Sequence, residues 1–222
     1  TSLSLGKCIT AIAGRNATQK TTLLGMIGQP FSISKQSPLY GCRTIDRYDF
    51  RSQFRDKFKI SPQHDIIGQH RWKLVLHNNG IHKQNYFIAE SIARKEKGRD
   101  PKLRFWNAEG RKAGEGYIQC PVYYLSLSRL FPIGETTTTK PIPFDLSETE
   151  LKYCIRKYRE ILSIEQTDGN VDVELEKGTA SRIFAGVSDE SHDIFTNSAG
   201  ESNVTRIILA VLSFKRLQEQ YC

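Results

Sequence analysis

The chain has 222 residues, 38% hydrophobic and 25% charged, enough apolar content for a sizeable core and too much for a disordered chain. No run approaches the ~20 consecutive apolar residues of a membrane span, and no N-terminal apolar stretch reads as a signal peptide. Thirty-two Lys and Arg against 24 Asp and Glu leave a formal charge of +8, which permits a polyanionic partner without specifying one.

In chain order, Cys8, Ile9, Thr10, Ala11, Ile12 and Ala13 form a short apolar run ending at Gly14, which predicts a buried strand. Thr21 to Ile27 predicts a helix, stopped by Gly28 and Pro30. Arg43, Arg47, Arg51 and Arg55 are spaced four apart and on a helix would form a basic stripe, with Tyr48, Phe50, Phe54 and Phe58 packing elsewhere. Trp72, Leu74 and Leu76 alternate with polar neighbours up to an Asn79-Gly80 turn, and residues 81–88 return as the second strand of a hairpin. A basic segment follows (Arg94, Lys95, Lys97, Arg99, Lys102, Arg104), then a strand at 103–106 and a Gly-rich loop at 110–116. Residues 117–127, β-branched and aromatic, predict a central strand. Thr136 to Pro143 reads as a linker. Ser147 with Glu150 is a capping-box pattern ahead of a helix whose apolar face is Leu151, Ile155, Tyr158, Ile161 and Leu162. Residues 171–176 alternate strictly and pair with 182–187. A loop at 197–202 then leads into a helix over about 204–220, apolar nearly all round at its start.

Two loops carry the chemistry. Gly14-Arg15-Asn16-Ala17-Thr18-Gln19-Lys20-Thr21 follows the phosphate-loop spacing G-x-x-x-x-G-K-[ST], with Gln19 in place of the second glycine. Such a loop needs a strand that ends abruptly, backbone N–H groups turned inward, and a helix N-terminus whose unpaired donors and partial positive charge meet phosphate. Lys20 then contacts the β- and γ-phosphates and Thr21 holds Mg²⁺. The competing account is a polar strand-to-helix turn with an incidental lysine. Asn197-Ser198-Ala199-Gly200-Glu201-Ser202, just before a helix, supplies a hydroxyl, a glycine and a second helix N-terminus, while an ordinary helix cap explains the same residues.

The second segment resembles the LSGGQ-type signature of ABC-class ATPases, with Asn197 at the usual Leu and Glu201 at the usual Gln. The residues from Ile12 to Gly25, Tyr124-Leu125-Ser126-Leu127-Ser128-Arg129-Leu130, and 197–201 together resemble the head domains of stand-alone prokaryotic ATPases. These are the RecF/SMC/OLD-like group, which includes the ATPase subunits of anti-phage systems such as Septu. The resemblance implies an α/β fold, a P-loop NTPase (ABC-ATPase head) lobe with an antiparallel β subdomain. It spans residues 1–222 as a single nucleotide-binding domain, with a P-loop unit at 1–30, the antiparallel subdomain at 65–130 and a helical signature region at 145–222. It implies ATP and Mg²⁺ as cofactors, bound by Gly14, Asn16, Ala17, Thr18, Gln19, Lys20, Thr21 and Thr22. Ser198, Gly200 and Glu201 would close on the γ-phosphate held by a second copy or a homologous subunit. A DNA-related or anti-phage machine, with DNA or an effector nuclease as further partner, is the implied setting.

In that family a Walker B strand, apolar and ending in Asp-Glu, follows the signature helix. Val171-Asp172-Val173-Glu174-Leu175-Glu176 alternates instead and precedes the signature, so we assign no catalytic residue and expect this chain to bind nucleotide but hydrolyse it poorly. The solitary Met26 and the start at Thr1 agree with a piece of a longer protein. The five cysteines contain no Cys-x-x-Cys pair and are odd in number, as for reduced thiols in a cytoplasmic protein. His64, His70, His77 and His82 lack metal-ligand spacing and read as polar hairpin residues. The basic segment 94–104, with Arg111 and Lys112, is either a nucleic-acid backbone contact or a solvated hairpin tip. Two other functions stand beside the ATPase: a nucleic-acid-binding or scaffold module with a vestigial nucleotide site, and a small-molecule P-loop kinase, which leaves 197–202 without a purpose.

Overall fold

A computed structural model describes residues 2–16, 18–51, 53–76, 85–110, 116–126, 131–164, 170–178 and 182–221. The protein is mixed α/β, built from small sheets, in two compact units, each discontinuous in sequence. The first comprises Thr1–Ser32 and Ser52–Cys120, the second Ile33–Arg51 and Pro121–Cys222.

The first unit opens with residues 2–16, which form no strand; Ile9 is 87% exposed. The buried strand expected at 8–13 is therefore corrected. A strand needs a neighbour to take its backbone groups, and among the described residues none runs beside this segment. Helix α1 (Lys20–Gly28) follows as expected and closes with the Gln29 N–H donating to the Gly25 carbonyl at 2.9 Å, ahead of Pro30. Strand β1 (Phe31–Ser32) pairs in parallel with the later β5 (Ile118–Gln119). The short helix α2 (Phe54–Lys57) precedes an antiparallel sheet, β2 (Arg71–Val75), β3 (Tyr86–Glu96) and β4 (Arg99–Asn107), in that order. The predicted hairpin is present as β2 and β3, its turn lying outside the described residues. The basic segment is the β3–β4 hairpin, turned at Gly98, whose φ of +74° is cheap only without a Cβ. Phe87, Ala89, Leu103 and Phe105 are buried on one face of this sheet, against Phe58, Ile118 and the half-buried Trp72 and Leu74.

Two expectations differ here. The segment 117–127 supplies only the two residues of β5, and its continuation runs without a ladder through residue 126. The stripe Arg43, Arg47, Arg51 is not helical. Asp49 pairs with Arg43 at 3.0 Å and with Arg51 at 2.9 Å, and Thr44 and Tyr48 exchange hydrogen bonds across a tight turn in which Arg47 takes φ +61°. Only Arg55 of the four lies in a helix, α2.

In the second unit, β6 (Lys140–Pro141), β7 (Asp172–Lys177) and β8 (Ile183–Ser188) form an antiparallel sheet, with 171–176 and 182–187 paired as predicted. Helix α3 (Glu148–Leu162) begins with a complete capping box between Ser147 and Glu150. Helix α4 (Ala199–Tyr221) packs on β8 and α3. Val173, Leu175, Ala185, Val187, Cys154, Tyr158, Ile208 and Leu209 form the main core of this unit. No helix among the described residues is long and apolar enough to cross a membrane.

Candidate functional site

The loop before α1 folds around a cation. The Lys20 ammonium donates to the carbonyls of Gly14 at 2.7 Å and Arg15 at 2.5 Å, and the Thr18 hydroxyl donates to the same Arg15 carbonyl at 2.7 Å. Gln19 sits at φ 58°, ψ 23°, the left-handed region, so the residue replacing the motif's second glycine occupies a glycine-favouring conformation. This reverses the chain direction in one residue and starts α1 at Lys20, leaving the first-turn N–H groups without intrahelical partners. Thr21 is half-buried in that first turn, Asn16, Thr18, Gln19 and Thr22 are exposed, and Ala17 lies outside the described residues. Gln19 and Thr22 also border a groove of about 470 Å³ lined by Met26, Phe58, His70 and Trp72. A lysine ammonium beside an open helix N-terminus is suited to an anion with two or more charges.

The second loop lies in the second unit. Helix α4 starts at Ala199, five residues before the expected start, so Gly200, Glu201 and Ser202 are already helical. Asn197 is buried; its Nδ2 donates to the Val187 carbonyl at 3.0 Å. This anchor needs a close approach by β8, since a Cβ on Gly186 would stand 2.3 Å from that nitrogen. Ser198 and Glu201 form a reciprocal cap. The Glu201 N–H donates to Ser198 Oγ at 3.3 Å, and the Ser198 N–H donates to the Glu201 carboxylate at 2.6 Å. The Tyr158 hydroxyl also donates to Glu201, at 3.3 Å. Burial alone would raise the Glu201 pKa, but donation from the Ser198 backbone and side chain and from Tyr158 outweighs it and holds the carboxyl below its usual range. A phosphate approaching this helix end meets a carboxylate already on the donors.

Sequence reasoning passed over three features. Strand β8, buried from Phe184 on, is followed directly by Asp189-Glu190, an apolar run and then two acids, but it precedes residues 197–202. Asp189 is committed to its own turn. Hydrogen bonds from Ser191 and then His192 pull its pKa down to about 2. Tyr158, an apolar-face residue by spacing, is the donor to Glu201. Third, Asp46 is fully buried, accepts from the Tyr123 hydroxyl at 2.5 Å, and has Arg206 of α4 at 3.8 Å, the guanidinium lying over the Tyr48 ring. Burial, followed by the Asp46 charge, drives the Tyr123 hydroxyl far above its ordinary pKa. Asp46 lies 77 residues from Tyr123 and 160 from Arg206, and no local pattern announces them.

His70 lies 3.4 Å from Asp65; His77, His82, Arg111, Lys112 and residues 127–130 lie outside the described residues. Among the described residues no three His, Cys, Asp or Glu side chains gather as a metal site. Comparison with known proteins finds no matching family model, no matching curated protein and no matching solved structure.

Proposed function

We propose that this chain is a nucleotide-binding ATPase subunit of the ABC head type, which holds ATP·Mg²⁺ through residues 14–22. The observation that carries the proposal is the enclosure of the Lys20 ammonium by the Gly14 and Arg15 carbonyls at the open N-terminus of α1. Polyphosphate would draw the ammonium off those carbonyls. The first-turn N–H groups and Lys20 would then share the phosphate charge, and the Thr21 hydroxyl would be a ligand for Mg²⁺. Mg²⁺, when bound with the nucleotide, would neutralise phosphate charge. The chain's own contribution is binding rather than turnover, because Asp189 is held in a turn and Glu174 and Glu176 lie on the partly exposed side of an antiparallel strand.

The second half of the proposal is that Ser198, Gly200 and Glu201 meet the nucleotide of a second copy or a homologous subunit, in a DNA-related or anti-phage machine. The Glu201 carboxylate must leave the Ser198 N–H for phosphate to enter, so ATP-driven association is stronger when Glu201 is neutralised. Calorimetric titration with ATP·Mg²⁺ tests the first half: Lys20→Ala weakens binding by at least about tenfold, a lost charge-assisted contact of roughly 1.5–3 kcal/mol. Equal affinity in the two proteins removes the proposal. For the second half, Ser198→Arg abolishes ATP-dependent dimerisation in light scattering while nucleotide still binds; dimerisation that survives the substitution places the interface elsewhere.

A further inference from the structure

The register of the first unit's sheet brings together a surface that the linear sequence scatters over 37 positions, from Arg71 to Asn107. Arg71 stands opposite Glu90, which stands opposite Trp106; Lys73 stands opposite Ile88; Ile92 faces Arg104, and Arg94 faces Lys102. Directly opposed residues share a face. Trp72, Phe87, Ala89, Ser91, Leu103 and Phe105, the alternating set, point into the core. The other face therefore presents Arg71, Lys73, Arg94, Lys102 and Arg104 against Glu90 and, near the hairpin tip, Asp100. Arg71, Lys73, Arg94 and Lys102 are exposed, and the span from Ile88 to Arg94 along β3 is about 20 Å.

Aromatic rings lie among these cations. Lys73 Nζ sits 4.3 Å from the centre of the Tyr86 ring, and Trp106 meets Tyr117 edge to face at 5.5 Å. A groove of about 560 Å³ is lined by Ile92, Arg94, Arg104, Trp106 and Tyr117 and also by Phe54 and Phe105 from the core-facing side. Burial, the largest influence, raises the Tyr117 pKa, while the Arg94 and Arg104 charges and a hydrogen bond with Gln29 act against it.

We infer that the solvent face of β2–β3–β4 binds single-stranded nucleic acid, with Arg71, Lys73, Arg94 and Lys102 tracking the phosphates and the Trp106–Tyr117 groove receiving a base. A row of cations needs only a polyanion, but the aromatic groove needs a flat ring attached to one. In a duplex the bases are stacked and hidden, whereas an open strand offers phosphate and base together. The inference does not rest on the nucleotide reading, although Arg71 also lines the groove that Gln19 and Thr22 border.

The full chain is titrated into fluorescein-labelled (dT)20 and anisotropy is read at two salt concentrations. Affinity falls as salt rises, with a log–log slope of about −3 for four neutralised phosphates. Arg71→Glu/Arg94→Glu, a change at two exposed side chains, weakens binding by at least about tenfold and flattens the slope. Lys20→Ala leaves (dT)20 affinity unchanged, so failure here and failure of the ATP proposal are read separately. The inference is overturned if the double variant binds as the parent does, if a 20-base-pair duplex binds as tightly as (dT)20, or if dTMP or polyglutamate at matched charge displaces the strand.

Discussion

Gln19 bears the conformational cost of the loop before α1. At φ 58° its Cβ crowds the backbone, a strain of roughly 1–2 kcal/mol for a residue with a side chain, which glycine avoids. Gln19→Gly should therefore raise stability by about 1 kcal/mol, or roughly 2–4 °C in melting temperature for a chain of this size. Gln19→Ala is the control, because it removes the same side-chain atoms and keeps the Cβ. A glycine variant that melts no higher than the alanine variant would show that the left-handed turn is absent in solution. The position of this turn was legible in the sequence, since Gln19 stands where the motif has glycine and Lys20 follows it. The apolar run Cys8 to Ala13 looked equally plain and is not a strand. A lysine reaching back six residues is a local event, whereas a strand exists only by virtue of a neighbour that no local pattern names.

Helix α3 shows the same boundary between local and distant at the level of an element. Ser147 and Glu150 specified its start, and the capping box forms. What spacing did not reveal is that Arg216 of α4 donates twice to the Glu150 carboxylate, at 2.6 and 2.5 Å, and also to the Asp145 carbonyl. The cap is thus a joint between two helices. Hydrogen bonding from Arg216 is the largest influence; burial opposes it, Ser147 adds to it, and together they pull the Glu150 pKa down to about 2. A carboxyl whose folded pKa lies below its unfolded value of ~4.3 favours the folded state above that value, and the contribution is lost as pH falls from about 4.5 towards 2. Arg216 is about one-third exposed, so solvent screening keeps the contribution to about 1 kcal/mol. Urea midpoints at pH 6 and pH 3 check this: the parent loses more stability between the two than Glu150→Gln does. Equal losses would mean that the joint does not form. The segment 197–202 is a counterpart. Its residues looked like a loop before a helix, and they became the helix's first turn because Asn197 is anchored under β8 and Ser198 and Glu201 cap each other.

For the whole molecule, the formal charge of +8 describes neither unit. The first unit holds 17 Lys and Arg against 7 Asp and Glu, and the second 15 against 17, so all of the positive excess belongs to the first. A linear scan blurs this division, because residues 33–51 interrupt the first unit in sequence and fold with the second. The partition makes the location of any polyanion a measurable property. Amine acetylation of the full chain, with and without saturating (dT)20, is read residue by residue by mass spectrometry. Lys73 and Lys102, on the basic sheet face, should be protected several-fold at low salt and regain reactivity as salt rises, since each buried phosphate contact releases counterions. Lys152 and Lys215 are more than two-thirds exposed on α3 and α4 and belong to the unit with no positive excess, so their reactivity should not change. Protection spread evenly over all four lysines would mean that the strand is attracted by overall charge alone. Protection of Lys152 or Lys215 without Lys73 would move the polyanion to the second unit and leave the sheet face without a ligand.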